Sequence, residues 1–145
     1  MTPDELDPSV ELDPTVELDP TIQYFIKAAL GRKARDLVIL DVRQQTSFTD
    51  VFLICSGKSN RQVSAIAEHI KEDLEKNNIA PLGIEGLKDG QWVLMDYGHI
   101  LVHVFLEPVR EFYDLEGFWS NAVRIAIEDY VDITEIEKNS GGAES

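Results

Sequence analysis

Gln91–Trp119, QWVLMDYGHILVHVFLEPVREFYDLEGFW, decides how this chain folds. Two apolar runs, Trp92–Tyr97 and Ile100–Leu106, flank Gly98-His99. Glycine first in a two-residue loop suits a primed hairpin turn, whose twist matches that of the strands. With that turn, Tyr97 pairs with Ile100 and Leu94 with His103. Side chains alternate between the faces of a strand. One face then carries Val93, Met95, Tyr97, Ile100, Val102 and Val104, nearly all apolar, and is expected to be core. The other carries Trp92, Leu94, Asp96, Leu101, His103 and Phe105. A buried carboxylate is costly unless partnered, so this second face is either a satisfied polar core or a surface built for a partner. A slip of one residue would exchange the two sets. After Pro108 the stretch turns helical, with Arg110, Tyr113 and Glu116 among its aromatics.

Outward from the hairpin, 145 residues with 43% hydrophobic content suit one domain with tails. No apolar run approaches the ~20 residues of a membrane span, so no membrane partner is expected. The start, MTPDELDPSV, has neither the basic nor the apolar region of a signal peptide. The single Cys55 lies in an apolar run and reads as structural, which fits a reducing cytoplasm.

The net charge of −14 is unevenly placed. Residues 1–22 hold seven acids and no base, and residues 128–145 hold six acids and Lys138. The middle is within two charges of neutral. Broad phosphate binding needs clustered Lys and Arg. Direct sequence-specific nucleic-acid binding is therefore not expected, and a basic protein partner is easier to accommodate. Acidic tails also keep a chain soluble without any partner.

Residues 5–22 repeat a hexapeptide three times: ELDPSV, ELDPTV, ELDPTI. A proline in each unit pushes the residue before it out of the helical region. Residues 1–20 read as an extended acidic arm, 21–127 as the domain and 128–145 as an acidic tail. In the last repeat Asp19 can cap a helix, with Pro20 at its first position. Ile22, Phe25, Ile26, Ala29 and Leu30 then share a face. The basic run Arg32–Arg35 reads as a helix-end charge cluster. Leu37–Val42 and Val51–Cys55 read as strands buried on both faces. Ser59-Asn60 caps a helix over Arg61–Lys76, with His69 off its apolar stripe and solvated. Ile79–Glu85 is a weak edge strand, weakened by Pro81. Phe112, Leu115, Trp119, Ala122, Val123 and Ala126 form a helical stripe that Gly117 can break. The order α-β-β-α-β-β-β-α gives an α/β fold, a mixed sheet of about five strands packed with helices.

The tempting chemistry falls short. Gly57-Lys58-Ser59 lacks the P-loop glycine five residues earlier, where Phe52 stands. A strand, Gly-Lys-Ser and a helix also resemble the start of a nucleotidyltransferase domain. That chemistry needs paired metal-binding carboxylates, but Asp41-Val42-Arg43 and Asp96-Tyr97-Gly98 offer one acid each. Asp96 and His103 lie diagonally on the hairpin with no aligned nucleophile, and His69 and His99 lie elsewhere. No catalytic residue, metal site or cofactor is expected. Trp92, Phe105, Tyr113 and Trp119 suit a core, yet Trp and Tyr also dominate interface hot spots.

Thr49–Ile70 (TDVFLICSGKSNRQVSAIAEHI), Ile84–Gly86, Trp92–Gly98, Val102–Phe105 and Arg110–Trp119 together resemble the ribosomal silencing factor, or Iojap-like, family. The resemblance runs from about Phe25 to Ala126. It departs from the family twice. His99 stands where the family usually has Asp, and the hexapeptide arm is no part of the pattern. The resemblance implies a nucleotidyltransferase-like fold without its catalytic carboxylate pair. It implies binding to the large ribosomal subunit through ribosomal protein L-fourteen, blocking small-subunit joining and repressing translation when nutrients are scarce. It further implies a role around large-subunit maturation. From the geometry of the hairpin face and last helix, which set acids beside aromatics, Trp92, Leu94, Asp96, His103, Phe105, Tyr113 and Glu116 are the expected partner-binding residues. A third reading is a general assembly scaffold or homodimer with no ribosomal role, the aromatic face serving self-association of the free protein. The competing expectation is a residual nucleotidyltransferase-like enzyme or a small hydrolase using Asp96 and His103.

Overall fold

A computed structural model describes residues 18–131. The expected arm up to Glu17 and the tail from Asp132 onward lie outside the described residues. Helix α1 (Ile22–Leu30) is followed by strands β1 (Arg35–Asp41) and β2 (Val51–Gly57), helix α2 (Asn60–Glu75), and strands β3 (Gly83–Glu85), β4 (Trp92–Asp96) and β5 (Ile100–Leu106). Short helices α3 (Glu107–Tyr113) and α4 (Leu115–Phe118) precede strand β6 (Val123–Arg124) and a final 3-10 turn, Ile127–Asp129. The sheet order is β3-β4-β5-β2-β1-β6. Only the central β2–β5 pair is parallel among these strands.

The hairpin has the expected register: Leu94 faces His103, and the Tyr97 amide donates to the Ile100 carbonyl at 3.0 Å. Gly98 has φ +83 and His99 does not share that sign, as the primed turn with leading glycine requires. Val93, Met95, Tyr97, Ile100, Val102 and Val104 are all buried in the main core beneath α1 and α2. Strand β2, apolar from Val51 to Cys55, is buried along its whole length, Ser56 included. It lies between β1 and β5 with packed layers above and below, so it has no solvent face. Strand β1 starts two residues before the expected Leu37–Val42, at exposed Arg35 and Asp36, and within that range Leu37, Val38 and Asp41 are only half-buried. The ladder is irregular between Arg35 and Val38, where Asp36 takes φ +50.

Ser59 caps α2 as expected, its hydroxyl accepting from the Gln62 amide at 3.1 Å. Val63, Ile66, Ala67, Ile70 and Leu74 bury the inner stripe of that helix. His69 is half-buried rather than solvated. Its Nε2 lies 3.2 Å from where a Cβ on Gly31 would sit, a tight contact for any larger residue there. The weak strand after α2 shrinks to three residues at the sheet edge.

The expected last helix is corrected most. Helix α3 stops at Asp114, which is left-handed at φ +45. Asp114 then caps α4 by accepting from the Gly117 amide at 3.2 Å. The break therefore falls before Gly117, whose missing side chain leaves room for the Asp114 carboxylate. Val123-Arg124 is not helical. It pairs antiparallel with Leu40-Asp41 as a sixth strand. Phe112 and Val123 accordingly face outward instead of lining a helical stripe. The core also passes both expected domain boundaries, because Leu18 and Val131 are buried in it.

Candidate partner-binding face

The sheet face opposite α1 and α2 carries a second, smaller cluster: Leu40, Val42, Phe52, Ile54 and Phe105. Trp92, Leu101, Val109, Leu115, Trp119 and Ala122 pack around it, half-buried. Because α3 and α4 are short, they roof this face incompletely. An aromatic layer results. Trp92 contacts Tyr113 at 5.0 Å and Phe105 at 4.8 Å between ring centroids. His103 stacks on Phe105 and meets Phe52 edge-on at 5.1 Å. Phe52 reaches Trp119 at 5.0 Å, and Trp119 reaches Phe48 and Phe118. At the rim the layer opens to solvent: Phe48 is 61% exposed, Phe112 and Phe118 81% each, Tyr113 55%. Exposed apolar side chains gathered in this way mark an interaction surface.

The sequence-derived residues divide into a surface set and a supporting set. Trp92, Leu94, Asp96 and Glu116 are half-buried and Tyr113 is exposed. Phe105 is wholly buried and His103 only 5% exposed. These two sit beneath the surface and support it, because Trp92 covers them. The Trp92 indole N–H donates to His103 Nδ1 at 3.1 Å. His103 must then carry its proton on Nε2, which is buried with no partner among the described residues. Burial without a compensating charge lowers the His103 pKa to about 4, so the ring is neutral. It does not pair with Asp96, whose Oδ1 accepts from the Gly98 amide at 2.8 Å and tightens the hairpin turn. The Asp96–His103 acid–base couple is therefore not assembled.

Sequence reading missed Phe48, Phe112 and Phe118 as exposed members of this face, and Val123 as an exposed edge residue. For Phe48 the signal was available: it lies in the polar connector RQQTSFTD. For Phe112 and Val123 helical periodicity pointed the wrong way, because the helix ends early.

Beside Tyr113 the face meets a cleft of about 390 Å³ lined by Asp36, Glu107, Glu111, Asp114 and Glu116, with Ser56 and Arg110. Arg110 is nearly buried; its Nε donates to Glu116 at 2.6 Å and its Nη1 to Ser56 Oγ at 2.6 Å. Five carboxylates around one committed guanidinium repel phosphate. Of the acids weighed as a catalytic pair, Asp41 is held in a two-point ion pair by Arg43 at 2.9 and 2.7 Å. That guanidinium keeps its pKa below the usual range against the opposing effect of burial. Among the described residues no group of three His, Cys, Asp or Glu is arranged to hold a metal ion. No helix among them is long and apolar enough to cross a membrane.

Residues 15–145 match the family described as ribosomal silencing factor during starvation. The ribosomal silencing factor RsfS of Bacillus subtilis is 41% identical over 63% of this chain and 77% of its own length. That of Halalkalibacterium halodurans is 35% identical over 75% and 93%. The chloroplastic protein Iojap of Zea mays is 35% identical over 83% of this chain and 53% of its own. A crystal structure of a Chromobacterium violaceum protein superposes with a TM-score of 0.69 at 35% identity, covering 72% of this chain and 88% of that one. This chain therefore belongs to the ribosomal silencing factor, or Iojap-like, family.

Proposed function

We propose that this protein binds the large ribosomal subunit through ribosomal protein L-fourteen, in the cytoplasm, and represses translation by keeping the small subunit from joining. What supports the reading most is the aromatic layer with its exposed rim of Phe48, Phe112, Tyr113 and Phe118. Large aromatics that are half desolvated beside acids suit a basic protein partner. Family membership supports the ribosomal setting. So does the relative named mitochondrial assembly of ribosomal large subunit protein 1 in Mus musculus, 31% identical over 60% of this chain. Trp92, Leu94, Asp96, Tyr113 and Glu116 form the contact, and His103 and Phe105 hold Trp92 in place beneath it. The binding role is steric and needs no catalysis.

Co-sedimentation with purified large subunits, with small subunits as the control, tests this. Selective large-subunit binding is expected, with loss of about tenfold or more in Asp96→Lys, since an interfacial charge pair is worth ~2–5 kcal/mol. Unchanged binding by a folded Asp96→Lys chain would move the interface off this face. Binding to neither subunit would remove the ribosomal role.

A further inference from the structure

Pro20–Arg35 holds four of the chain's 13 Lys and Arg and no Asp or Glu, in a chain with 27 acids. The basic run was expected to serve the end of a helix, and the structure leaves most of it over. Only Lys27 stands in the last turn of α1. The favourable field of a helix C-terminus fades within that turn. Arg32 and Lys33 lie past the capping Gly31, and Lys33 turns the chain at φ +57. Both are exposed, as is Lys27. Lys27 and Arg32 make no ion pair among the described residues, whereas Arg35 reaches Glu107 at 3.2 Å.

Tyr24, one turn before Lys27 on the outward side of α1, is exposed as well. His69 of α2 lies against Gly31. A flat ring, two cations without a carboxylate and an imidazole N–H therefore share one surface. That surface is fixed in place. Ile22, Phe25, Ile26, Ala28 and Ala29 bury the inner side of α1. At the start of the helix, Thr21 Oγ1 lies 3.0 Å from His99 Nε2 of the hairpin turn. At its end, the Ala34 amide donates to the Ala29 carbonyl at 3.3 Å and folds the turn back onto the helix.

Arg35 connects this surface to the aromatic face. It pairs with Ser56 at the end of β2, and its Nε reaches Glu107 at the start of α3. On one side of that ion pair lie the carboxylates of the 390 Å³ cleft, and on the other Arg32 and Lys33. A ribosomal subunit offers basic protein and phosphate-rich RNA together. The cleft repels phosphate, and the end of α1 attracts it. Cations held on a rigid element bind phosphate oxygens by charge-assisted hydrogen bonds and release counterions. A ring beside them packs on a sugar or a base.

We propose that Tyr24, Lys27, Arg32 and Lys33 form a second contact surface, which holds the sugar-phosphate backbone of large-subunit RNA while the aromatic face holds the protein. The inference rests on the ribosomal reading above. The ligand is a stretch of RNA backbone of about three phosphates, one for each cation. It is read by charge and not by base sequence, so the near-neutral domain needs no broad basic surface.

The test is co-sedimentation of the full chain with large subunits between about 50 and 200 mM salt. Lys27→Ala with Arg32→Ala should lower the slope of log K against log salt by about two, one for each lost phosphate contact, and weaken binding about tenfold or more at the low-salt end. Lys27→Arg with Arg32→Lys should keep both slope and affinity. Lys76→Ala with Lys88→Ala removes the same charge from exposed positions elsewhere and should change neither. A benzophenone side chain introduced at Tyr24 should crosslink to RNA. If the parent chain binds and Lys27→Ala with Arg32→Ala leaves the slope unchanged, the inference is overturned and the aromatic-face reading stands. Equal losses in the Lys76 and Lys88 variant would reduce the effect to net charge and overturn it as well. A crosslink to ribosomal protein alone would give this surface to a protein and overturn the RNA assignment. Failure of the parent chain itself to bind either subunit would remove the ribosomal reading, and this inference with it.

Discussion

His103 is a polar residue whose value to the molecule is that it stays neutral. Its Nδ1 accepts the Trp92 indole proton, and burial lowers its pKa to about 4. A free imidazole takes up its proton near pH 6.5. Between these values the unfolded chain holds more protons than the folded one, so stability falls as pH drops through that window. At pH 4.5 the loss from this group is about 2–3 kcal/mol relative to pH 7. His103→Gln keeps an acceptor for Trp92 but does not titrate. Urea melts at the two pH values should show a smaller acid loss for it than for the parent chain. A matching loss in both chains would place the acid sensitivity elsewhere.

Single elements depend on a few backbone positions. Gly86 turns the chain between β3 and β4 at φ +83, and a side chain there would run into the Trp92 carbonyl. Gly86→Ala should cost roughly 2 kcal/mol or more, from left-handed strain plus that collision, read as a lower urea midpoint. It should also weaken the edge pairing that holds Trp92 at the border of the aromatic layer. Helix α2 depends on Ser59 at its start. Ser59→Ala should cost about 1 kcal/mol and Ser59→Asp should restore it, both measurable by thermal melting. The last third of the domain shows how an element ends against its periodicity. Spaced apolar residues from Phe112 to Ala126 fit one long helix, but Asp114 turns left-handed and caps a new helix. The chain then gains more by pairing Val123-Arg124 with the open edge of β1.

For the molecule as a whole, the sheet has unequal faces. Helices α1 and α2 seal one, and α3 with α4 half-cover the other. The exposed Phe112 and Phe118 contribute little to the core, so Phe112→Ser with Phe118→Ser should leave Tm within a few degrees. The same pair should weaken large-subunit co-sedimentation by about tenfold or more, as interface aromatics do. A normal sedimentation profile for that folded variant would exclude the aromatic rim from the contact. Most of the net charge of −14 lies in residues 1–22 and 128–145. Leu18 and Tyr130, near the two ends of the described residues, line one cleft with Pro20, Gln23 and Asp129.

The sequence by itself determined the hairpin, its register, the buried central strand, the cap of α2 and the family. Those features rest on local rules: alternation along a strand, a glycine-led turn, a hydroxyl before a helix, and motifs in fixed order. It also showed that Trp92, Asp96, Tyr113 and Glu116 break an otherwise apolar stretch. Only the tertiary structure decided which of them reach solvent. His103 and Phe105 share a strand face with Leu101, but the indole of Trp92 closes over them. The sixth strand, the exposed Phe118, and the union of Thr21 with His99 were decided there too. Each depends on a partner distant in sequence, and what occupies the open edge or covers a given face cannot be computed from the spacing of one segment.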